Sequence, residues 1–358
     1  MPPTAVSPGQ GAGHSGAVLP PIHALFNRRF PGDDALLKLA RLRFEQAGMA
    51  AELYADTPDQ LEHVIRFVAP HPSLPTVHLN RDINLLREHD RAVVEEFAAR
   101  FAGRVAGLVV HDKAEMGTQT DSLVAAMGHL NTRLRGWPGA PRVFLEYAAG
   151  LEPGWFAETA AAIGDLERVS CCIDIGHVGI RQAGATFARG HPGLDLRALS
   201  PADERLPDLV TDVQDAVATA LRDVLELIRS VGSLGKHVHF HLHDGHPLIR
   251  GLSDHFSFLT RLVIPFSHEG RRSLRTMYGP AGLAAIVSAA AGACEALSFT
   301  LEIHQVDGRL PLGDAGEIFR HWRDTTNAER MNNWLAVLAE NVMLVDASLR
   351  GAHPWRSS

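Results

Sequence analysis

The sequence predicts one α/β domain: a parallel (β/α)8 TIM barrel with long insertions after strands six and seven. Three observations predict it. Short apolar runs alternate with helical segments along most of the 358 residues, which favours a parallel sheet. About eight such units follow residue 21, and that number favours a closed barrel over an open sheet. Several runs also end in a group that can bind a metal. These are Pro75-Thr-Val-His78, Gly107-Leu-Val-Val-His111, Arg142-Val-Phe-Leu-Glu146, Cys171-Cys172-Ile-Asp174 and Phe299-Thr-Leu-Glu302. A barrel collects such strand ends at one mouth.

The elements follow in order. Ile22 to Asn27 reads as the first strand, and Asp33 to Ala47 as a helix opened by aspartates suited to an N-terminus. Ala50 to Ala55 is the second strand. Thr57-Pro-Asp then opens a helix with a cap residue followed by proline. Strands three, four and five end at His78, His111 and Glu146. Helices are expected around 88–101, 121–135 and 153–164, and strand six ends at Asp174. From Val178 to Lys236 the chain departs from the pattern. Glycines and a proline predict an irregular first part, and about 202–229 predicts a long amphipathic helix. Strand seven ends at His241. Residues 245–279 form a second long segment expected to cover the mouth. A helix over about 280–296, a strand ending at Glu302 and a closing helix over about 328–348 complete the chain.

Composition narrows the class. The chain is 46% hydrophobic and 21% charged, ordinary for a globular domain. The domain is expected over 21–350. Residues 1–20, rich in Pro, Gly, Ser and Ala, lack the charged start and apolar stretch of a signal peptide and read as a disordered lead-in. A net charge of −7 gives no broad basic field, which argues against a nucleic-acid partner. No uninterrupted run of about 18 apolar residues predicts a membrane span. Cys171, Cys172 and Cys294 have no disulfide or zinc-knuckle spacing and suit a reducing cytoplasm. No Gly-x-Gly-x-x-Gly follows the first strand, which removes the dinucleotide fingerprint.

On the predicted barrel, His78, His111, Glu146, Asp174, His177, His241 and Glu302 share the rim. Each alone reads as a structural residue. Together they point to a divalent metal, because buried carboxylates need a cation and imidazole–carboxylate sets suit Mn, Zn, Co or Fe. His237, His239, His241 and His243 recur at period two and can share one face, and alternation alone does not choose among them. His304 follows Glu302 by two and is expected in a supporting role. Cys171-Cys172 can be read as thiolate ligands or as packing, and their place inside an apolar run favours packing. Arg271-Arg272-Ser-Leu-Arg275 reads either as an anion holder over the site or as a solvated basic loop.

Glu146, then Cys172-Ile-Asp174-Ile-Gly-His177, then His241-Leu-His-Asp244, then Leu301-Glu302 resemble the xylose isomerase-like barrel superfamily. That superfamily holds sugar-phosphate isomerases and epimerases and endonuclease IV. The resemblance spans about 21–345 and rests on strand ends. Through its isomerase branch it implies a four-ligand metal site at Glu146, Asp174, His241 and Glu302. The match through Asp244 is what singles out His241. The same branch implies that Glu146 and Glu302 are acid and base, moving a proton beside a carbonyl through a metal-stabilised enediolate. The endonuclease IV branch implies further ligands at His78, His111 and His177. Its later Asp-x-His is disrupted here into Ser253-Asp254-His255-Phe256, with His268 further on. Asp254, His255 and His268 are therefore secondary candidates, and one to three ions are open.

The leading expectation is a metal-dependent isomerase or epimerase acting on a sugar, a polyol or a related keto compound. A multinuclear metal phosphoesterase is the alternative. A histidine-rich iron oxidative enzyme and a non-catalytic binding barrel are further readings. A small-molecule substrate is the expected partner, and homodimerisation is possible as in relatives.

Overall fold

The computed structural model describes residues 19–28, 33–148, 150–199, 203–248, 255–259, 276–304 and 327–351. Its centre is a closed barrel of eight strands in sequence order, every neighbouring pair parallel. The strands are β1 (Ile22–Leu25), β2 (Ala50–Ala55), β3 (Thr76–Leu79), β4 (Gly107–His111), β5 (Arg142–Glu146), β6 (Val169–Asp174), β7 (His237–Leu242) and β8 (Ala296–Leu301). Around them lie α1 (Asp34–Ala47), α2 (Pro58–Val64), α3 (Glu88–Arg100), α4 (Thr120–Arg135), α5 (Pro153–Ala162), α6 (Ile175–Gly190), α7 (Leu206–Gly232), α8 (Gly279–Ala293) and α9 (Asn327–Leu349). The predicted closed, parallel (β/α)8 barrel is thus observed.

Local chemistry sets the helix starts. Asp33 accepts the amides of Ala35 and Leu36 at the head of α1, and Thr57 accepts the Gln60 amide at the head of α2. α1 ends at Gly48, whose φ of 61° is the left-handed conformation glycine adopts most readily. The stretch after Asp174 corrects the sequence reading. It was expected to be irregular, yet α6 continues to Gly190. Asp174 caps it by accepting the His177 amide, and Val178, Ala183 and Phe187 lay a buried stripe. Apolar spacing outweighs the glycines because the helix packs along α7. α7 is the expected long amphipathic helix, with Val210, Val213, Val217, Val224 and Leu227 buried.

Strand alternation divides the core. Leu53, Val77, Leu108, Leu145, Ile173, Phe240 and Leu301 point outward into the main core under the helices. The opposite faces fill the barrel. Val109, Phe144 and Cys172 form a small apolar cluster separate from that core, and Glu52, Thr76, His239 and Thr300 lie in mutual contact within the barrel. Two residues further along the strands come Tyr54, His78, His111, Glu146, Asp174, His241 and Glu302, at the carboxyl ends. Among the described residues no helix is long and apolar enough to cross a membrane.

Candidate metal centre at the barrel mouth

Glu146 closes β5 opposite His111 of β4 in the sheet register. Its Oε2 lies 3.1 Å from His78 Nε2 and 3.0 Å from His111 Nε2, and its Oε1 lies 2.8 Å from His241 Nδ1. Glu302, one residue past β8, places Oε2 3.1 Å from the same nitrogen. Tyr54 donates its hydroxyl to Glu302 Oε1 at 2.7 Å. Two carboxylate oxygens 2.8 and 3.1 Å from one atom can be no more than 5.9 Å apart. His78, His111, Glu146, His241 and Glu302 thus form one group, buried apart from His111, although they come from the ends of five strands.

Asp174 belongs to an adjoining group. Its Oδ1 accepts from His243 Nε2 at 2.9 Å and from the His177 amide at 2.8 Å. Its Oδ2 lies 3.7 Å from His177 Nε2. The ligand atoms of Asp174, His177, His243 and His255 all fall within 4.8 Å of one another. The His255 ring stacks on His243 at 3.9 Å and on His304 at 4.2 Å between centroids. His255 and His304 also reach towards Glu302, at 3.9 and 3.6 Å. Glu302 therefore sits between the two groups.

Charge explains how buried carboxylates persist here. Burial resists ionisation of Glu146, but His111, His241 and His78 outweigh it and hold the carboxyl well below its usual range. Burial likewise resists ionisation of Glu302, and His241, His304 and His255 outweigh it. Burial disfavours a charged His241, yet the carboxylates Glu52, Glu146 and Glu302 around it keep its proton bound well above the usual histidine range. His243 follows the same logic: burial opposes the proton, and Asp174 raises the ring to about 10. Cys172 is driven upward by burial, which keeps a neutral thiol and fits the packing role.

The donor set fits a divalent ion. It consists of carboxylates and imidazoles, the mix suited to Mn, Fe, Co and Zn. At the mouth Asp174 Oδ2 and Glu302 Oε2 are buried without an aligned hydrogen bond, facing imidazole nitrogens at 3.7 and 3.1 Å. Such atoms are costly unless something positive satisfies them.

His78, His111, Glu146, Asp174, His177, His241 and Glu302 stand at the mouth. His78, Glu146, Asp174, His241 and Glu302 are nearly sealed from solvent. His111 and His177 keep 24% and 30% of their side chains exposed, so the cluster meets solvent on their side. His255 joins the cluster, whereas Asp254, His268 and Arg271, Arg272 and Arg275 lie outside the described residues. The sequence reading missed Glu52 and Tyr54 and left His243 unassigned. Their signal was the same period of two, since Glu52 and Tyr54 alternate with the outward Leu53. Asp244 is structural. Its carboxylate accepts the amides of Gly245, Tyr278 and Gly279 at 2.8, 3.1 and 2.7 Å, joining the end of β7 to the start of α8.

No family model and no curated protein matches this sequence. Among solved structures, the chain is similar to a D-psicose 3-epimerase with D-tagatose from Clostridium cellulolyticum H10. The identity is 11%, the match covers 92% of this chain and 99% of that one, and the TM-score is 0.51. A second match is a D-psicose 3-epimerase in the presence of D-fructose, at 11% identity, 91% and 99% coverage and TM-score 0.48. At such identity the likeness is one of fold, and the resemblance read from strand ends holds at that level.

Proposed function

We propose that this chain is a metal-dependent isomerase or epimerase of a sugar or related polyol. The observation that carries the reading is the meeting of Glu146 and Glu302 on His241 Nδ1, at 2.8 and 3.1 Å, in the mouth of a closed parallel barrel. The fold shared with a sugar epimerase supports it. By the resemblance Glu146, Asp174, His241 and Glu302 would hold the ion; ligand atoms meet within 4.8 Å in the sets His78, His111, Glu146 and His78, His241, Glu302, while Asp174 meets His177, His243 and His255. A divalent cation there supplies Lewis acidity to the substrate's oxygens, lowering the cost of the charge that develops when a C–H proton leaves.

The chain's own groups do the proton work. Both glutamates are held ionised by surrounding imidazoles, as a group that accepts a proton from carbon must be. The one that removes the proton beside the carbonyl acts as the carboxylate, and the other must first take up a proton from solvent before it delivers one to the carbon. Tyr54, hydrogen-bonded to Glu302, holds that carboxylate's orientation. Solvent reaches the cluster on the side of the part-exposed His111 and His177, where substrate approaches and the glutamates can exchange protons with water.

The test is solvent exchange. Incubated with a ketohexose in deuterium oxide and a divalent metal, the protein is expected to place deuterium on carbon. Glu146→Gln and Glu302→Gln should each abolish this while retaining at least part of the metal. Turnover of carbohydrate with no deuterium on carbon overturns the proton-shuttle reading.

The adjoining Asp174, His177, His243 and His255 group favours one alternative, a multinuclear phosphoesterase. It predicts two or three ions per chain and cleavage of a phosphodiester, both directly measurable.

A further inference from the structure

Beneath the mouth, the barrel interior holds a carboxylate that no step above uses. Glu52 of β2 is fully buried. Its Oε2 accepts from Thr76 Oγ1 of β3 and from Thr300 Oγ1 of β8, both at 2.8 Å. The same oxygen lies 3.3 Å from His239 Nε2. Its Oε1 lies 3.2 Å from His241 Nε2. Those two atoms, Glu52 Oε1 and His241 Nε2, are both buried and both without an aligned hydrogen bond. Each is the complement the other lacks.

The position is unusual on physical grounds. Barrel interiors are ordinarily filled by branched aliphatic side chains. A buried carboxylate adds little to stability compared with an apolar residue of similar size. Substrate contact does not account for Glu52 either, since His241 stands between it and the mouth. What remains is its effect on the ring. An imidazole that binds a cation through one nitrogen carries a proton on the other, and a carboxylate receiving that proton fixes the tautomer and the ring plane. His241 turns Nδ1 to Glu146 and Glu302 and Nε2 to Glu52.

We infer that Glu52 is a positioning residue: anchored by Thr76 and Thr300, it holds the N–H of His241 on Nε2 and so leaves the Nδ1 lone pair directed at the metal position. This rests on the metal-site reading above and extends it to a residue that touches neither ion nor substrate.

The experiment uses cobalt(II), which reports binding and geometry together. Chelator competition and visible absorption are compared for the full-length wild type and Glu52→Gln, with the melting temperature of each metal-free protein as the folding control. Gln keeps the shape and can accept from both threonines through its carbonyl oxygen, but it then presents an amide N–H to His241. The expected result is cobalt binding weaker by about 10–100-fold and an altered spectrum, with the metal-free melting temperature preserved. A wild type that binds no cobalt overturns the metal-site reading itself. A wild type that binds, alongside a Glu52→Gln protein of equal affinity and equal spectrum, overturns the role of Glu52 alone. A measurement on the unaltered protein needs no variant to fold. Nitrogen-15 spectra of the zinc-loaded protein should show His241 bound through Nδ1 with the proton on Nε2, and the reverse tautomer overturns the inference.

Discussion

Gly176 and Gly184 lie in the same helix, α6, and alanine at the two sites should have opposite effects. A Cβ at Gly176 would lie 1.9 Å from Cε1 of His243, 2.3 Å from its Nε2 and 2.4 Å from its Nδ1. The closest of these falls about 1.1 Å short of the 3.0 Å that real Cβ contacts respect. The ring has little room to yield. Nε2 is bonded to Asp174 and Nδ1 faces the Asp244 carbonyl, each at 2.9 Å, and the ring face is stacked on His255. Overpacking a rigid interior costs about 1–3 kcal/mol, and breaking a buried ion pair about 3–5 kcal/mol if the ring is driven off Asp174. A net loss of about 3 kcal/mol is expected, worth roughly 4–5 °C in melting temperature for a chain of this length. At Gly184 nothing lies within 4 Å of the added methyl. There alanine should stabilise the helix by about 0.5–1 kcal/mol and raise the melting temperature by about 1 °C. Both variants are followed by circular dichroism at one scan rate with chelator present. A Gly176→Ala protein melting within about 2 °C of wild type would refute the packing of His243 against the first turn of α6.

Three further outcomes are expected. Tyr54→Phe removes the 2.7 Å hydroxyl from Glu302. A hydrogen bond to a charged group is worth about 1.5–3 kcal/mol, so the acid limb of the pH–activity profile should move up by about one to two units; an unmoved limb would show that the contact has no bearing on ionisation. Burial holds His239 and His246 at about 4, below the unfolded value near 6.5. Between those values only the unfolded chain takes up the protons, so this stability is complete above about pH 6.5 and lost as pH falls to about 4, by up to about 3 kcal/mol per histidine. Urea midpoints at pH 7, 6 and 5 should fall in that order, and a flat series would contradict neutral buried rings. His241 and His243, by contrast, hold protons well above neutrality, His243 to about 10. Ligation requires them neutral, so metal binding should release protons and tighten from pH 6 to 8; calorimetry in buffers of different ionisation enthalpy measures the release, and a value of zero would count against both rings as ligands.

Most of the barrel was legible because its signals are local and periodic. The strand ends His78, His111 and Glu146 and the N-cap residues Asp33 and Thr57 announce themselves within a few residues. The excursion after Asp174 was misread because its glycines are conspicuous in sequence, whereas the packing of α6 along α7 that overrides them is tertiary. Alternation alone could not choose among the β7 histidines, and only the match through Asp244 singled out His241. All four share one parity, and only depth along the barrel separates them. His239 meets Glu52 and Ser298, His241 meets Glu146 and Glu302, and His243 meets Asp174. Glu52 and Tyr54 were passed over because a single Glu in an apolar strand has no local partner that marks it as inward-facing.

Depth also separates what the strands fix from what the connections hold. His78, Glu146 and His241 have paired backbones on both sides, Tyr54 and His111 on one, and Glu302 follows β8 directly with its amide bonded to the Leu242 carbonyl, so the barrel fixes their positions. His243 and His255 depend on the β7–α8 connection. Asp244 fastens it to α8, and Asn341 of α9 holds it through Ser257 and the Phe258 amide at 2.8 and 3.1 Å. Loosening those contacts displaces His243 and His255 while leaving Glu146, His241 and Glu302 in place, because no ladder bond of the barrel passes through them. The group built on strands is therefore the pre-organised one, suited to chemistry that tolerates little movement between two carboxylates. His243 and His255, held by the connection rather than by the sheet, are the adjustable members of the second group, whereas its Asp174 is fixed in β6.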